Sequence, residues 1–271
     1  MNKKLIFFLY IGDDRTPQER ISAGFVAKVH FYCLKKYRQV FDEAKFVLSV
    51  RDNLIGNTML IGEYVSFIMS LGYFDNTEFV VERNTQLRES KTFKEEIVDS
   101  KDNDGKLVFF AHLRGESNDN EQVQKWVFSN YFYGLSNVWE VEYWLAANMK
   151  VFFGFPLVDF RGVKAQNFEI YPKNGFYYPG SIFWTNISLL REVLSNRGFS
   201  VPPMIGRFYS ENFPADAVYY EMVSTTNYVS CPSGHDYYST FTDLLNTWCE
   251  SSGRSVEEFN DEFEKIKTAA V

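Results

Sequence analysis

At 271 residues, with 45% hydrophobic and 18% aromatic side chains, the chain carries enough apolar mass for a large buried core, which excludes a disordered protein. Its 28 basic residues stand against 35 acidic ones, a net charge of −7, and no Lys/Arg cluster is dense enough to suggest the basic face that binds duplex DNA. No apolar run approaches the roughly 20 residues that cross a bilayer as a helix, so a soluble, cytoplasmic protein is the expectation.

Leu5 to Ile11 reads as a first strand ending at Gly12-Asp13-Asp14. The two lysines before it lend a superficial likeness to a secretion signal, but the apolar run is only about seven residues and no small-residue cleavage site follows. Asp14 or Thr16 suits a helix cap, with Pro17 near the first position, and the helix is expected to run through Ala23, Val26, Val29, Phe31 and Leu34. His30, in its middle, is read as structural. Lys45 to Val50 is a second strand ending at Arg51-Asp52-Asn53, and a helix through Tyr64, Phe67, Ile68 and Leu71 is closed by Gly72. Glu78 to Glu82 is a third strand ending at Arg83-Asn84, Ser90 to Val98 suits a helix, and Leu107 to Ala111 is a fourth strand.

This β-α-β-α-β-α-β alternation with short loops argues for an α/β fold, a mostly parallel sheet flanked by helices. The polar strand ends should then share one edge, where open α/β sheets bind ligands. Glu121 to Asn148 reads as helical throughout, with Trp126, Phe128, Tyr131, Phe132, Trp139 and Trp144 mostly as core packing. Val151 to Phe155 is a short strand, Pro156 to Asn174 an irregular loop, and Phe176 to Thr185 a turn becoming a strand, bent at Pro179-Gly180. Ile187 to Asn196 is a helix, and Ser255 to Lys267 an acidic amphipathic helix with Val256, Phe259, Phe263 and Ile266 on one side. No linker divides the chain: residues 1–250 are expected to form one domain, with 251–271 as a C-terminal helix packed on it. Cys33, Cys231 and Cys249 lie far apart without a CxxC pair, so reduced thiols are expected in place of a zinc site or a disulfide framework.

The segment Leu107 to Asn118 is the most informative. Five apolar residues suit a strand buried on both faces, and the run ends on His112 and Arg114 before Gly115. A histidine and an arginine at the carboxyl end of such a strand can meet an anion such as a diphosphate. A buried histidine satisfied by a backbone carbonyl gives the same pattern. No GxGxxG follows the first strand, which disfavours a dinucleotide dehydrogenase.

Four segments together carry a resemblance. Glu82-Arg83-Asn84 with Leu87-Arg88-Glu89, then Phe110-Ala111-His112-Leu113-Arg114-Gly115 with Trp126 downstream, then Gly180-Ser181-Ile182-Phe183-Trp184, and Phe208-Tyr209-Ser210-Glu211, follow in order. The chain thereby resembles glycosyltransferases of the GT-A fold, and within them the rhamnan-synthesis-type enzymes that build surface polysaccharides. That resemblance implies a single GT-A-like (Rossmann-like) domain and a nucleotide-sugar donor. It implies donor contacts from Gly12, Asp13, Asp52, Asn84, Arg88, Glu89, His112 and Arg114. The departures are Leu87 in place of Gly, Glu89 in place of Asp and Arg114 in place of Lys. GT-A enzymes also commonly hold a divalent cation, Mn²⁺ or Mg²⁺, on an Asp-x-Asp after a strand. Here the only such triplet, Asp102-Asn103-Asp104, precedes its strand and reads as a turn. Positive side chains in place of the metal, or an atypical site using His112 and His235, are the alternatives.

Transfer of a sugar requires the leaving diphosphate to be neutralised, the acceptor hydroxyl to be deprotonated and water to be kept out. Arg88, His112 and Arg114 are candidates for the first task, and Glu211 and then Asp216 for the base; a carboxylate base opposite the leaving group would make the reaction inverting. Ordinary readings stand beside these: an ion pair of Arg88 with Glu89 or Glu95, and Glu211 as a helix N-terminal residue. Tyr178 and Trp184 are candidates to stack on an acceptor pyranose beside Gly180 and Ser181, with core packing as the other reading of the tryptophan. A catalytically inactive carbohydrate-binding or scaffold protein of the same fold, or a phage-type DNA-modifying glycosyltransferase, is the alternative function, the latter disfavoured by the acidic balance.

Overall fold

A computed structural model describes residues 1–86, 88–113, 119–147, 149–154, 157–159, 176–177, 182–196, 213–214, 223–224, 228–230, 246, 249 and 255–271. The chain runs β1 (Asn2–Ile11), α1 (Pro17–Ala23), α2 (Phe25–Lys36), β2 (Glu43–Val50), α3 (Thr58–Ser70), β3 (Thr77–Arg83), α4 (Glu89–Phe93) and β4 (Lys106–His112). Then come α5 (Glu121–Leu135), α6 (Val138–Glu142), β5 (Phe152–Gly154), β6 (Leu157–Asp159), β7 (Phe176–Tyr177), β8 (Phe183–Asn186), α7 (Ile187–Asn196), β9 (Val223–Ser224), β10 (Tyr228–Ser230) and α8 (Val256–Thr268). A π-helical turn continues α4 over Lys94–Asp99, and another continues α6 over Tyr143–Ala147.

The main sheet has seven strands in the order β3-β2-β1-β4-β8-β5-β9. β1 pairs in parallel with both β2 and β4, and β2 with β3; β8 then runs antiparallel between β4 and β5. β6, Leu157–Asp159, lies inside the segment read from sequence as an irregular loop, and it forms a small second sheet with β10 and β7. β1 to β4 begin one to three residues before their expected starts, because ladder pairing extends over flanking residues such as Lys3, Lys4 and Glu43, whereas β5 begins one residue later than expected.

Alternation along the central strands fills two layers. Leu5, Phe7, Leu9 and Ile11 of β1, with Leu107, Phe109 and Ala111 of β4, join one core with α2, α3, α5 and α8. Ile6, Val108 and Phe110 face the other way, against Phe93, Ile97, Leu190 and Phe213. A sheet covered on both faces explains why Leu107–Ala111 is a continuous apolar run. His30 sits within the first layer, its Nδ1 2.7 Å from the Tyr131 hydroxyl, and is structural as expected.

Local signals set the helix starts. Thr16 and Glu19 form a reciprocal capping box with Pro17 at the first turn, Asn57 caps α3, Asn120 caps α5 and Ser255 caps α8. Gly72, at φ +99°, ends α3. The expected single helix from Pro17 to Leu34 is instead broken at Gly24. There the Asp119 carboxylate accepts hydrogen bonds from the backbone N–H groups of Phe25 and Val26, at 2.5 and 3.1 Å, and starts α2 from 94 residues away in sequence. A carboxylate on a helix N-terminus is favoured by both capping and the dipole. Asp119→Ala is expected to cost about 1–2 kcal/mol, measured as a lower midpoint in urea with unchanged slope. Likewise Glu121–Asn148 is not one helix: α5 stops at Leu135, and α6 restarts after Ser136-Asn137.

Asp102-Asn103-Asp104 is a turn, as its Gly105 suggests, with that glycine at φ +80°. Asn103 is fully buried; it accepts from the Lys4 ammonium at 2.9 Å and donates to the Glu96 carbonyl at 2.7 Å. Burial, with Lys106 close by, holds the Lys4 ammonium below its usual pKa. Lys45 lies between Glu78 and Glu96 at 3.0 and 2.8 Å; burial opposes its charge, but these hydrogen bonds prevail and its pKa is raised. This polar floor closes the N-terminal edge of the sheet.

Candidate functional site

The chain lays β1, β2 and β3 outward in one direction and then returns to place β4 on the other side of β1. That reversal makes the carboxyl ends of β1 and β4 a topological switch point, the crevice where open α/β sheets take ligands. The register brings the polar strand ends to the same edge: Ile11 pairs with Val50, and Val50 with Arg83. Backbone hydrogen bonds carry the pairing one step further, from Arg51 to the Ile11 carbonyl at 2.9 Å and from Asn84 to the Val50 carbonyl at 2.8 Å. Gly12, Asp13, Asp52 and Asn84 therefore line one rim, as expected. His112 ends β4 on that edge but lower, since it pairs with Phe8. Three residues separate Phe8 from Ile11, so His112 lies roughly 10 Å below the rim. It is buried, on the face that carries Phe110.

At the end of β1, Asp13 is held by a fork of donors. Arg15 reaches its carboxylate through Nε at 3.0 Å and Nη2 at 2.6 Å, and the Arg15 backbone N–H adds a third bond at 3.2 Å. Arg20 approaches at 3.7 Å. The Arg15 side-chain hydrogen bonds, chiefly, hold the Asp13 carboxyl below its usual pKa against the opposing effect of burial, with the Arg15 backbone N–H and Arg20 assisting. Arg20 is itself buried; it donates to the Tyr10 carbonyl at 2.8 Å and lies 5.7 Å over the Tyr64 ring. Tyr64 in turn donates to the Arg15 carbonyl at 2.9 Å. Asp13 was expected to contact the donor directly. Here its carboxylate is the hub that fixes the half-exposed Arg15 guanidinium at the mouth of the crevice. The sequence assigns no role to Arg15 or Arg20 and gives Tyr64 only a place in a helix. The i, i+2 spacing of Asp13 and Arg15 was the visible signal for one of them.

Gly12 sits directly over the Tyr10 ring: a Cβ there would meet that ring at 2.6 Å. Asp52 is exposed in the turn after β2. Asn84 is half-buried, and its Oδ1 accepts from the Ser49 hydroxyl at 3.2 Å. Arg88 has φ 47° and ψ −131°, a conformation that costs of order 1–3 kcal/mol for a residue with a side chain. Its guanidinium is exposed and makes no ion pair among the described residues. The competing reading, an ion pair with Glu89 or Glu95, is not seen, and Glu95 lies 3.7 Å from Lys91 instead. Glu89 opens α4 beside it, half-buried.

Trp184, expected beside the acceptor, is instead fully buried in the core. Its indole N–H donates to the Gly134 carbonyl at 2.7 Å, and its ring lies 5.2 Å from Phe109 and 5.8 Å from Phe41. The strand alternation that separates Trp184 from Phe183 turns the two side chains to opposite layers, and both layers are covered. Glu211, Asp216, Arg114, Tyr178, Gly180, Ser181 and His235 lie outside the described residues.

Among the described residues, no three His, Cys, Asp or Glu side chains converge. The Asp-x-Asp triplet does not fit a cation site at the strand ends: it lies at the opposite edge of β4, Asn103 is buried, and Asp104 faces Arg191 at 3.3 Å. Cys33 and Cys249 are buried, the Cys249 Sγ lying 3.5 Å from the Tyr133 hydroxyl. Burial pushes the Cys33 thiol up, away from thiolate chemistry. A surface groove of about 600 Å³ runs between Thr16 and Gln18 of the α1 start and Met59, Glu63 and Ser66 of α3, and contains none of the expected donor or acceptor residues. No described helix is long and apolar enough to cross a membrane.

The sequence matches no known family model and no curated protein. Among solved structures it is similar to 4-diphosphocytidyl-2C-methyl-D-erythritol synthase from Anaerococcus prevotii, at 12% identity and a TM-score of 0.34, over 89% of this chain and 96% of that one. At that score the likeness transfers no activity and no site.

Proposed function

We propose that this chain transfers a sugar from a nucleotide-sugar donor to a glycan or other hydroxyl acceptor, with inversion at the anomeric carbon. The observation that carries the reading is the switch point itself. Four parallel strands in the order β3-β2-β1-β4 bring Gly12, Asp13, Asp52 and Asn84 to one edge, with His112 buried deeper at the end of β4. Arg15 and Arg88 add two exposed guanidinium groups along it. Planar guanidinium forks suit diphosphate oxygens, and a charged leaving group is what a transferase must stabilise.

In the proposed step the acceptor oxygen attacks the anomeric carbon from the face opposite the diphosphate. The new C–O bond forms as the bond to the diphosphate oxygen breaks. The hydroxyl proton passes to the Glu211 carboxylate, with Asp216 the second candidate, and the nucleoside diphosphate leaves with the bonding electron pair. Glu211 stands two residues before Phe213, whose buried ring packs 5.3 Å from Phe93 on the sheet face that also carries His112. Arg114, two residues after His112, is assigned to the diphosphate with it. The rhamnan-synthesis type and polysaccharide assembly are the finer part of the same proposal, resting on the sequence resemblance.

The test is a thermal-shift panel of UDP-, GDP-, CMP- and dTDP-sugars, each with and without Mn²⁺. A donor at 100 times its Kd should add about 2.7 kcal/mol of stability. Stabilisation by one nucleotide class is expected; a flat response to every donor, with and without the ion, would refute the proposal.

A further inference from the structure

Tyr10 is half-buried near the carboxyl end of β1, at the switch point. Alternation puts it on the sheet face of Ile6 and Phe8, the face that also carries His112. Its ring does not stand off the sheet but lies along the strand, so that a Cβ on Gly12 would meet Cε1, Cζ and Oη at 2.6, 2.9 and 3.0 Å. Gly12 keeps a φ outside the left-handed region, so the glycine serves the closeness of this ring and not a special backbone. Arg51 donates to the Gly12 carbonyl at 3.5 Å and Arg20 to the Tyr10 carbonyl at 2.8 Å, which fixes the strand end beneath the ring. Among the described residues the phenol hydroxyl makes no hydrogen bond and the ring meets no other aromatic.

The neighbouring strands set polar groups beside it. Tyr10 pairs directly with Ser49 of β2, on the same face, and Ser49 pairs with Glu82 of β3. Ser49 is fully buried, and its hydroxyl donates to Asn84 Oδ1 at 3.2 Å. That bond commits the amide oxygen inward and leaves the NH₂ for a ligand; among the described residues it donates to nothing. Asn84 lies two strands from Tyr10, roughly 10 Å across the sheet. Ring and amide thus flank a gap with Ser49 at its base.

From this juxtaposition we propose that Tyr10 is the stacking floor for the nucleobase of the donor, and that Asn84, oriented by Ser49, reads a carbonyl on that base. Stacking on an aromatic ring suits every base, so Tyr10 supplies affinity. The amide supplies choice. Asparagine pairs with adenine through its oxygen and its NH₂ together, and here the oxygen is engaged by Ser49. The remaining NH₂ meets a ring carbonyl, which uracil, thymine, cytosine and guanine carry and adenine lacks. A pyranose also stacks on a phenol, but its hydroxyls need acceptors. In this row the Glu82 carboxylate is bound by Lys91 and the amide oxygen by Ser49, which favours the base. The assignment rests on the nucleotide-sugar reading for the diphosphate, whereas Tyr10 and Ser49 are outside the residues that reading uses.

The test is calorimetric titration of the full chain with UDP, dTDP, CDP, GDP, ADP and inorganic pyrophosphate, alongside Tyr10→Ala, Tyr10→Phe, Gly12→Ala, Asn84→Ala and the double variant of Tyr10→Ala with Gly12→Ala. At least one carbonyl-bearing nucleotide is expected to bind about tenfold more tightly than ADP. Tyr10→Ala should weaken it about tenfold and leave pyrophosphate unchanged, while Tyr10→Phe keeps most of the affinity. Gly12→Ala should weaken it by displacing the ring, yet add nothing once Tyr10→Ala has removed that ring. Asn84→Ala should bring its affinity down to that of ADP. Should Tyr10→Ala fail to fold, Tyr10→Leu and Gly12→Ala carry the same comparison. Nucleotide affinity indifferent to Tyr10, an equal loss for pyrophosphate, or a preference for ADP overturns the assignment and leaves the transferase reading standing. No binding of any nucleotide refutes both.

Discussion

Trp184→Ala is expected to cost about 3–5 kcal/mol, the range for emptying a large aromatic site in a core. Its indole fills the layer between Phe41, Phe109 and α5, and the substitution also removes the donor to the Gly134 carbonyl. That carbonyl lies where α5 comes close to the sheet: a Cβ on Gly134 would stand 3.3 Å from the Phe109 ring. Against a typical total stability of about 5–15 kcal/mol, the loss is a large fraction, and a drop in Tm of order 10 °C should follow. Calorimetric melting reads it directly. A Trp184→Ala chain that melts normally and loses only affinity for a sugar would restore the acceptor-stacking role that burial has removed.

Glu211→Gln should lower turnover by about 10²–10⁴-fold, the usual contribution of a positioned general base. The amide keeps the size of the side chain and loses only the ability to take the proton. Donor binding, read as nucleotide-sugar-dependent stabilisation, should be unchanged. A binding or scaffold protein of the same fold would show no turnover in either form. A Glu211→Gln chain with full activity would pass the base role to Asp216 or another group.

The sheet was legible wherever an apolar run had to be buried on both sides. Leu107–Ala111 is such a run, and the first three strands followed from apolar segments ending in Asp13, Asp52 and Asn84. What a linear reading lacks is the partner across space. The alternation of strands and helices does not say that β4 returns beside β1, nor that β8 runs against it, because both arrangements bury the same residues. Pro17 to Leu34 looks continuous because each residue tolerates a helix, and the break at Gly24 is imposed by Asp119 from a distant loop. Trp184 was misplaced for a related reason. Strand parity told its two faces apart but not that α5 covers one and Phe93 with Phe213 the other.

The candidate site divides the same way. Strand ends are marked by polar residues, so the rim was readable. The Asp13–Arg15–Arg20 arrangement was not, since Arg20 becomes a rim-organising residue only when α1 folds back over β1 and Tyr64 closes beneath it. Arg88 shows the reverse: its side chain was identified from sequence, while its positive φ is visible only in three dimensions.

Hydrogen exchange with and without a stabilising nucleoside diphosphate sugar tests the central claim most directly, because it needs no substitution and reports every segment at once. Slowed exchange should concentrate at the carboxyl ends of β1, β3 and β4, in peptides covering residues 10–16, 83–90 and 112–118. Protection confined to the α1–α3 groove, or to residues 137–149, with those strand ends unchanged, would contradict it.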